Sequence, residues 1–168
     1  MPTKKILITY ASKAGSTAEV ARFMQKVMQE NELSADLLPI EKVKNIAPYD
    51  KIYIGSPIYI GRWRKPARKF IEKQQALLQN KEVYYWLTCL SLTEDDSEKL
   101  AAVENYLATE RKLVVPKAEG RFGGVIDLKK LSFLERKMIK AVGSPIGDFR
   151  DWDKIAAWTK STFDQSHE

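Results

Sequence analysis

Residues 12–17, Ser12-Lys13-Ala14-Gly15-Ser16-Thr17, bring three hydroxyls, a lysine and a glycine into one turn. The turn follows a short apolar run and leads into a stretch with helical spacing. It therefore lies where a strand end meets a helix N-terminus. Backbone N–H groups and the helix dipole at such a place favour a phosphate monoester, with Ser12, Ser16 and Thr17 as further donors. The turn has neither the G-x-G-x-x-G of dinucleotide binders nor the G-x-x-x-x-G-K-[ST] of nucleoside triphosphatases. A purely structural account is open at the same residues. Ser16-x-x-Glu19 has the form of a capping box, which alone explains a serine at a helix start.

A second stretch able to do chemistry is the cation cluster Arg62, Arg64, Lys65, Arg68 and Lys69. It suits an anionic substrate or the phosphate of a nicotinamide cofactor; the alternative is a solvated helix face. Trp63, in the midst of it, fits either a ligand contact or the first core residue of a helix, with packing the preferred reading. Other chemistries are excluded by counting. A single cysteine, Cys89, permits no intramolecular disulfide, and one cysteine with one histidine is too few for structural zinc. That histidine, His167, stands next to the C-terminal residue, so no Ser-His or Cys-His nucleophile pair is expected. No residue is assigned a catalytic role and no metal is expected.

These loops need elements to position them. The chain has 168 residues, 44% hydrophobic and 30% charged, which is the composition of a globular domain. Residues 4–11 read as a buried strand, and residues 17–29 carry Val20, Met24 and Val27 at helical spacing. Residues 34–39 form a weak second strand and residues 51–56 a third, followed by a loop over 57–63. Pro66 opens a helix to about Leu78 with Ala67, Phe70, Ile71 and Leu77 on one face. Residues 82–90 are the best central strand, with Tyr84, Tyr85 and Trp86 as core and Cys89 as a buried strand residue. Residues 93–96, Thr93-Glu94-Asp95-Asp96, open an acidic first turn of a helix expected to reach about Lys112. A fifth strand starts within 112–116 and extends to about Arg121. Residues 122–148 fit the repeat poorly and look like an insertion with its own helix. Asp151 caps a last helix carrying Trp152, Ile155, Ala156 and Phe163. Alternating strands and helices predict one doubly wound α/β domain over 1–168, a five-stranded parallel sheet with helices on both faces. In such sheets ligands bind beyond the carboxyl ends of the strands.

Ser12-x-x-Gly15-x-Thr17 after the first strand resembles the phosphate loop of flavodoxins, [ST]-x-[ST]-G-x-T, with Ala14 in place of the middle hydroxyl. Gly55-Ser56-Pro57-Ile58-Tyr59-Ile60-Gly61 resembles the flavodoxin flavin loop, G-x-P-T-W-x-x-G, one residue shorter before its last glycine. The third loop, Thr88-Cys89-Leu90-Ser91-Leu92, lacks the usual Gly-Asp…Tyr. Phe122-Gly123-Gly124-Val125 with Arg136-Lys137-Met138-Ile139-Lys140, and Asp151-Trp152-Asp153-x-x-Ala156, are similar to the menaquinone-dependent protoporphyrinogen oxidase (quinone dehydrogenase) branch. Typical flavodoxins are acidic carriers, whereas this chain carries a formal net charge of +6.

The resemblance implies a flavodoxin-like fold with an inserted helical segment before the last helix, and noncovalent FMN. The phosphate would lie on residues 12–17, Lys13 and Ala14 included. The ring would lie between Tyr59 and the loop Thr88, Cys89, Leu90, Ser91 and Leu92, with Pro57, Ile58, Ile60, Gly61, Gly123 and Gly124 completing the pocket. Arg62, Trp63 and Arg64 would meet a substrate such as porphyrinogen propionates. The implied activity is an FMN-dependent oxidoreductase passing electrons to a quinone. An NAD(P)H-dependent quinone or flavin reductase and a non-enzymatic electron carrier are the alternatives. Nucleic acid is not an expected partner, because the charge comes with no recognised motif. Within the insertion, Leu128, Leu131, Leu134, Met138 and Val142 share a helical stripe, with Lys129, Lys130, Arg136, Lys137 and Lys140 broadly opposite. Such a helix suits an anionic membrane surface, where a quinone is met, although a stripe buried on the parent domain is the commoner arrangement. The opening residues have no signal-peptide pattern, so a cytoplasmic protein is expected, peripheral on the inner face of the cell membrane where the helix docks.

Overall fold

The computed structural model describes residues 3–12, 15–89, 97–142 and 146–163. Strand β1 (Ile6–Tyr10) leads to helix α1 (Ser16–Glu30), then β2 (Ala35–Pro39) and β3 (Lys51–Tyr59). A two-residue strand β4 (Arg62–Trp63) precedes α2 (Lys65–Leu78) and β5 (Glu82–Cys89). Helices α3 (Ser97–Glu104) and α4 (Ala108–Leu113) then lead to β6 (Ala118–Gly123). The remaining elements are β7 (Val125–Ile126), α5 (Phe133–Val142), β8 (Gly147–Asp148) and α6 (Trp152–Ser161). Five strands make a parallel sheet in the order β2-β1-β3-β5-β6. The strand order reverses at β1 and β3, so the loops after those strands flank one crevice.

Side chains alternate across the sheet, as the two-residue period of a strand requires. Leu7, Ile52, Ile54, Val83, Tyr85 and Leu87 point to one face, against Ala67, Phe70, Ile71 and Leu78 of α2 and Leu107 before α4. Ile6, Ile8, Tyr53, Tyr84, Trp86 and Phe122 point to the other, against Val20, Met24 and Met28 of α1 and Ile155 of α6. Tyr84, Tyr85 and Trp86 are wholly buried, and Cys89 is buried at the end of β5, both as expected. The Asp151 side chain caps α6 by accepting from the Lys154 N–H at 3.1 Å.

The structure corrects several boundaries. Residues 57–63 are no loop: β3 continues to Tyr59 and turns back antiparallel into β4, pairing Ile58 with Trp63 and Tyr59 with Arg62. Leu78, not Leu77, completes the buried face of α2, and Leu77 is exposed. The single helix expected up to Lys112 is broken: residues 105–107 form turns between α3 and α4. Leu107 and Val114 bury their side chains at either end of α4, a packing demand that one straight helix does not meet. The acidic turn over residues 93–96 lies outside the described residues. The last parallel strand begins only at Ala118, because Leu113 still ends a helix and Pro116 offers no N–H to a ladder. In the insertion, Leu128–Lys130 is a 3₁₀ turn, so the helical stripe starts at Phe133 instead of Asp127. Phe163 falls beyond α6.

Candidate functional site at the carboxyl edge of the sheet

The first loop meets α1 without a side-chain cap. Gly15 is the N-cap residue in the left-handed region at φ 84°, and among the described residues there is no side-chain cap. The capping box therefore does not form, and Ser16 is the first helical residue rather than the cap. The Gly15 N–H donates to Ser12 Oγ at 3.0 Å, and the Gly15 carbonyl accepts from Glu19 N–H at 3.1 Å. Space around a Cβ at Gly15 is open, so its φ, not crowding by the chain, demands glycine there. Thr17 is buried, and its Oγ1 lies 3.4 Å from Thr88 Oγ1 at the end of β5. Hydroxyls from the first and third loops thus converge beside an uncapped helix N-terminus. Lys13 and Ala14 lie outside the described residues.

The second loop is a β-hairpin tip. Ile60 and Gly61 form its two-residue turn with φ of 51° and 71°. Positive φ at both central residues is the mark of a type I′ turn, which suits glycine and strains a β-branched isoleucine. Its base is fixed: Ser56 Oγ accepts from Arg64 N–H at 3.0 Å, and Arg68 Nε donates to the Trp63 carbonyl at 3.1 Å. The tip is open to solvent. Tyr59 is 50% exposed and Ile60 74%, far above the buried residues a few positions earlier in β3. A depression of about 400 Å³ beside the tip is lined by Tyr59, Ile60, Arg62, Arg64, Pro66 and Arg68, with Trp63 and Lys65. Among the described residues none of Arg62, Arg64 and Lys65 has a carboxylate partner.

Pro57 and Ile58 are half-buried at the root of this hairpin, and Gly61 is exposed at its tip. Trp63 is completely buried and packs edge-on to Tyr85 at 5.0 Å, so the packing reading, not the substrate contact, describes its ring. Arg62 is exposed and Arg64 half-exposed. Thr88 and Cys89 end β5 beside Pro57 and Gly123 of the neighbouring strands. Leu90, Ser91 and Leu92 lie outside the described residues. Gly123 has a packing reason of its own: a Cβ there would lie 2.2 Å from the Phe149 carbonyl oxygen. Gly124 is buried, and its carbonyl accepts from the Phe149 N–H at 3.0 Å. The two glycines therefore join the sheet to the return leg of the insertion.

Sequence motifs missed Arg150. Its guanidinium donates to Glu19 at 2.6 Å and to Asp148 at 2.5 Å, tying the return leg of the insertion to the first turn of α1. This guanidinium holds the Asp148 carboxyl below its usual range. No local pattern signals the pair, since Arg150 and Glu19 are separated by 131 residues.

In α5 the outward face carries Phe133, Leu134 and Met138, at 70%, 72% and 49% exposure. Lys137 lies among them, with its Nζ 4.7 Å from the Phe133 ring centroid, and Arg136 and Lys140 are exposed alongside. Leu128 and Leu131 are half-buried before the helix, so the exposed apolar set is not the stripe expected from spacing alone. Among the described residues no helix is long and apolar enough to cross a membrane.

The flavodoxin domain model matches residues 7–153. The protoporphyrinogen IX dehydrogenase [quinone] of Escherichia coli strain K12 is 21% identical over 172 residues, covering 93% of each chain. Oxidised flavodoxin 1 of Bacillus cereus superposes with a TM-score of 0.61 at 15% identity, covering 98% of this chain and 99% of its own. A flavoprotein of Lactobacillus acidophilus, solved in complex with FMN, superposes at 0.53 with 17% identity, covering 71% and 93%. The sheet order, the two loops at its carboxyl edge and the matched span lead to one assignment: the chain belongs to the flavodoxin domain family.

Proposed function

We propose that this protein is an FMN-dependent oxidoreductase that dehydrogenates a porphyrinogen-type substrate and passes the electrons to a quinone. The residues present fit FMN. The uncapped α1 N-terminus, with Gly15 in its left-handed conformation and the Ser12, Thr17 and Thr88 hydroxyls, is a donor set for a phosphate monoester. Tyr59, half-exposed at a pinned hairpin tip, is an aromatic face for a ring. Once bound, FMN supplies the redox chemistry, taking an electron pair from an organic donor and returning it to an acceptor. The chain supplies binding, orientation and charge.

The observation that carries the enzyme reading over the carrier reading is the cationic depression at the ring end. Among the described residues Arg62 and Arg64 have no carboxylate partner, and beside Tyr59 they would hold a carboxylated small molecule against the ring by charge. The similarity to a protoporphyrinogen IX dehydrogenase supports a substrate with propionate groups. A nicotinamide donor is the second reading, favoured by the same cations. The exposed Phe133, Leu134 and Met138 among cations support docking of α5 on an anionic leaflet. That would place a cytoplasmic protein on the inner face of the membrane, beside its quinone.

Anaerobic turnover tests this. The FMN-loaded protein is given protoporphyrinogen IX with a quinone embedded in anionic vesicles, and separately with a soluble dye. We expect porphyrinogen oxidation in both. Replacing Lys129, Lys130, Arg136, Lys137 and Lys140 by Gln removes about 1 kcal/mol of leaflet attraction per cation. It should slow the vesicle reaction only. No porphyrinogen oxidation, together with one-electron exchange with protein partners, would favour the carrier.

A further inference from the structure

Arg150 is engaged by three elements at once. Its side chain is 9% exposed. Nη1 donates to Glu19 Oε2 at 2.6 Å and reaches the Ser16 carbonyl at 3.5 Å. Nε and Nη2 donate to the two Asp148 oxygens at 2.9 and 2.5 Å. The guanidinium also lies 4.7 Å over the Trp152 ring, which packs edge-on to Phe23 of α1 at 4.9 Å.

Glu19 lies in the first turn of α1, the turn whose amides would meet the phosphate in the FMN reading above. A carboxylate there gains from the helix dipole but opposes any second anion at the same end. Arg150 offsets that opposition. Unpaired, Glu19 would add a full negative charge beside the phosphate donors.

We propose that Arg150 is a positioning residue for the phosphate end of the site. By holding Glu19 and lowering the negative charge of the Glu19–Asp148 pair by one, it sets how strongly the protein prefers FMN over riboflavin, the same ring system without the phosphate. The inference rests on the FMN reading above. It also gives the insertion a role at that end, because Asp148 is its last residue and pairs with Arg150 just beyond it.

Equilibrium titrations with FMN and with riboflavin, at low ionic strength, test it on the parent, Arg150→Gln, Glu19→Gln and the double variant. Arg150→Gln should weaken FMN about tenfold, the effect of one uncompensated charge, and leave riboflavin within about twofold. Glu19→Gln should tighten FMN several-fold and leave riboflavin unchanged. The double variant should bind FMN at least as well as the parent. All differences should shrink at about 1 M salt, where the screening length is roughly 3 Å. Equal weakening of both flavins by Arg150→Gln would assign Arg150 a purely structural part and overturn the proposal. So would a double variant as weak as Arg150→Gln alone. Should Arg150→Gln fail to fold, Glu19→Gln, at a 43% exposed side chain, decides by itself: unchanged FMN affinity overturns the proposal. A parent that binds FMN while its variants keep its selectivity sinks only this inference. A parent that binds neither flavin sinks the FMN reading with it.

Discussion

At the N-terminus of α1 the charged side chains Glu19, Asp148 and Arg150 are paired with one another, and among the described residues the helix end has no side-chain cap. At the β3–β4 hairpin the backbone is paired, and among the described residues it is Arg62 and Arg64 that lack a charged partner. Glu19, Asp148 and Arg150 satisfy each other around a helix end with no side-chain cap. Among the described residues Arg62 and Arg64 have no carboxylate partner, around a turn whose root is fixed by Ser56 and Arg68. The difference separates two tasks. Backbone amides in a fixed turn recognise one small, constant anion such as a phosphate. Unpaired guanidiniums on a solvent-facing surface recognise a variable, larger partner. The first end suits a resident cofactor and the second suits a substrate that comes and goes.

Four variants would sharpen or break this contrast. Gly15→Val should have the largest effect. A β-branched residue at φ 84° costs about 1–3 kcal/mol, so the loop must abandon the conformation that presents its amides. We expect FMN affinity to fall by roughly 100-fold or more in a titration, with the far-UV dichroism of a folded domain. FMN held as tightly as by the parent would remove the phosphate site from this loop.

Tyr59→Ala should weaken both FMN and riboflavin by about 1–3 kcal/mol, the range for a lost aromatic contact and its buried area. The melting temperature should scarcely change, because the ring is half-exposed. With Trp63 buried, an unchanged flavin affinity would leave the hairpin with no stacking residue. Arg62→Gln with Arg64→Gln should spare flavin binding and raise KM for a carboxylated donor by roughly tenfold, about one exposed ion-pair contribution per cation. Equal loss for charged and neutral donors would make these residues a solvated face.

Ile60→Gly should have the smallest effect and the opposite sign. It relieves an isoleucine held at φ 51°, worth about 1 kcal/mol, and should raise the melting temperature by roughly 2–4 °C. A lower melting temperature would show that the Ile60 side chain stabilises the tip by contact.

The contrast also explains what the sequence made legible. The phosphate loop is a local object: hydroxyls, a glycine and a helix start within six residues, so spacing alone exposes it. The sheet was legible for the same reason, since runs such as Tyr84-Tyr85-Trp86 are buried on both faces of one strand. The hairpin was hidden. Residues 57–63 contain Pro57 and Gly61, which speak for a loop, and the pairing of Tyr59 with Arg62 requires an isoleucine in a conformation it disfavours. The insertion was hidden differently. Leu128 and Leu131 keep a helical rhythm with Leu134, yet Asp127 accepts from the Lys129 N–H and closes a 3₁₀ turn instead. Arg150 could not be found at all, because its role depends on a partner at the other end of the chain.

The central claim is that both ends belong to one flavin site. The most direct measurement is a titration of the purified protein with FMN, followed by flavin fluorescence and visible absorption. One-to-one quenching of the flavin, with a perturbed visible band and reciprocal quenching of protein fluorescence, is the result expected. FMN fluorescence and absorption that stay those of free flavin under excess protein would contradict the account.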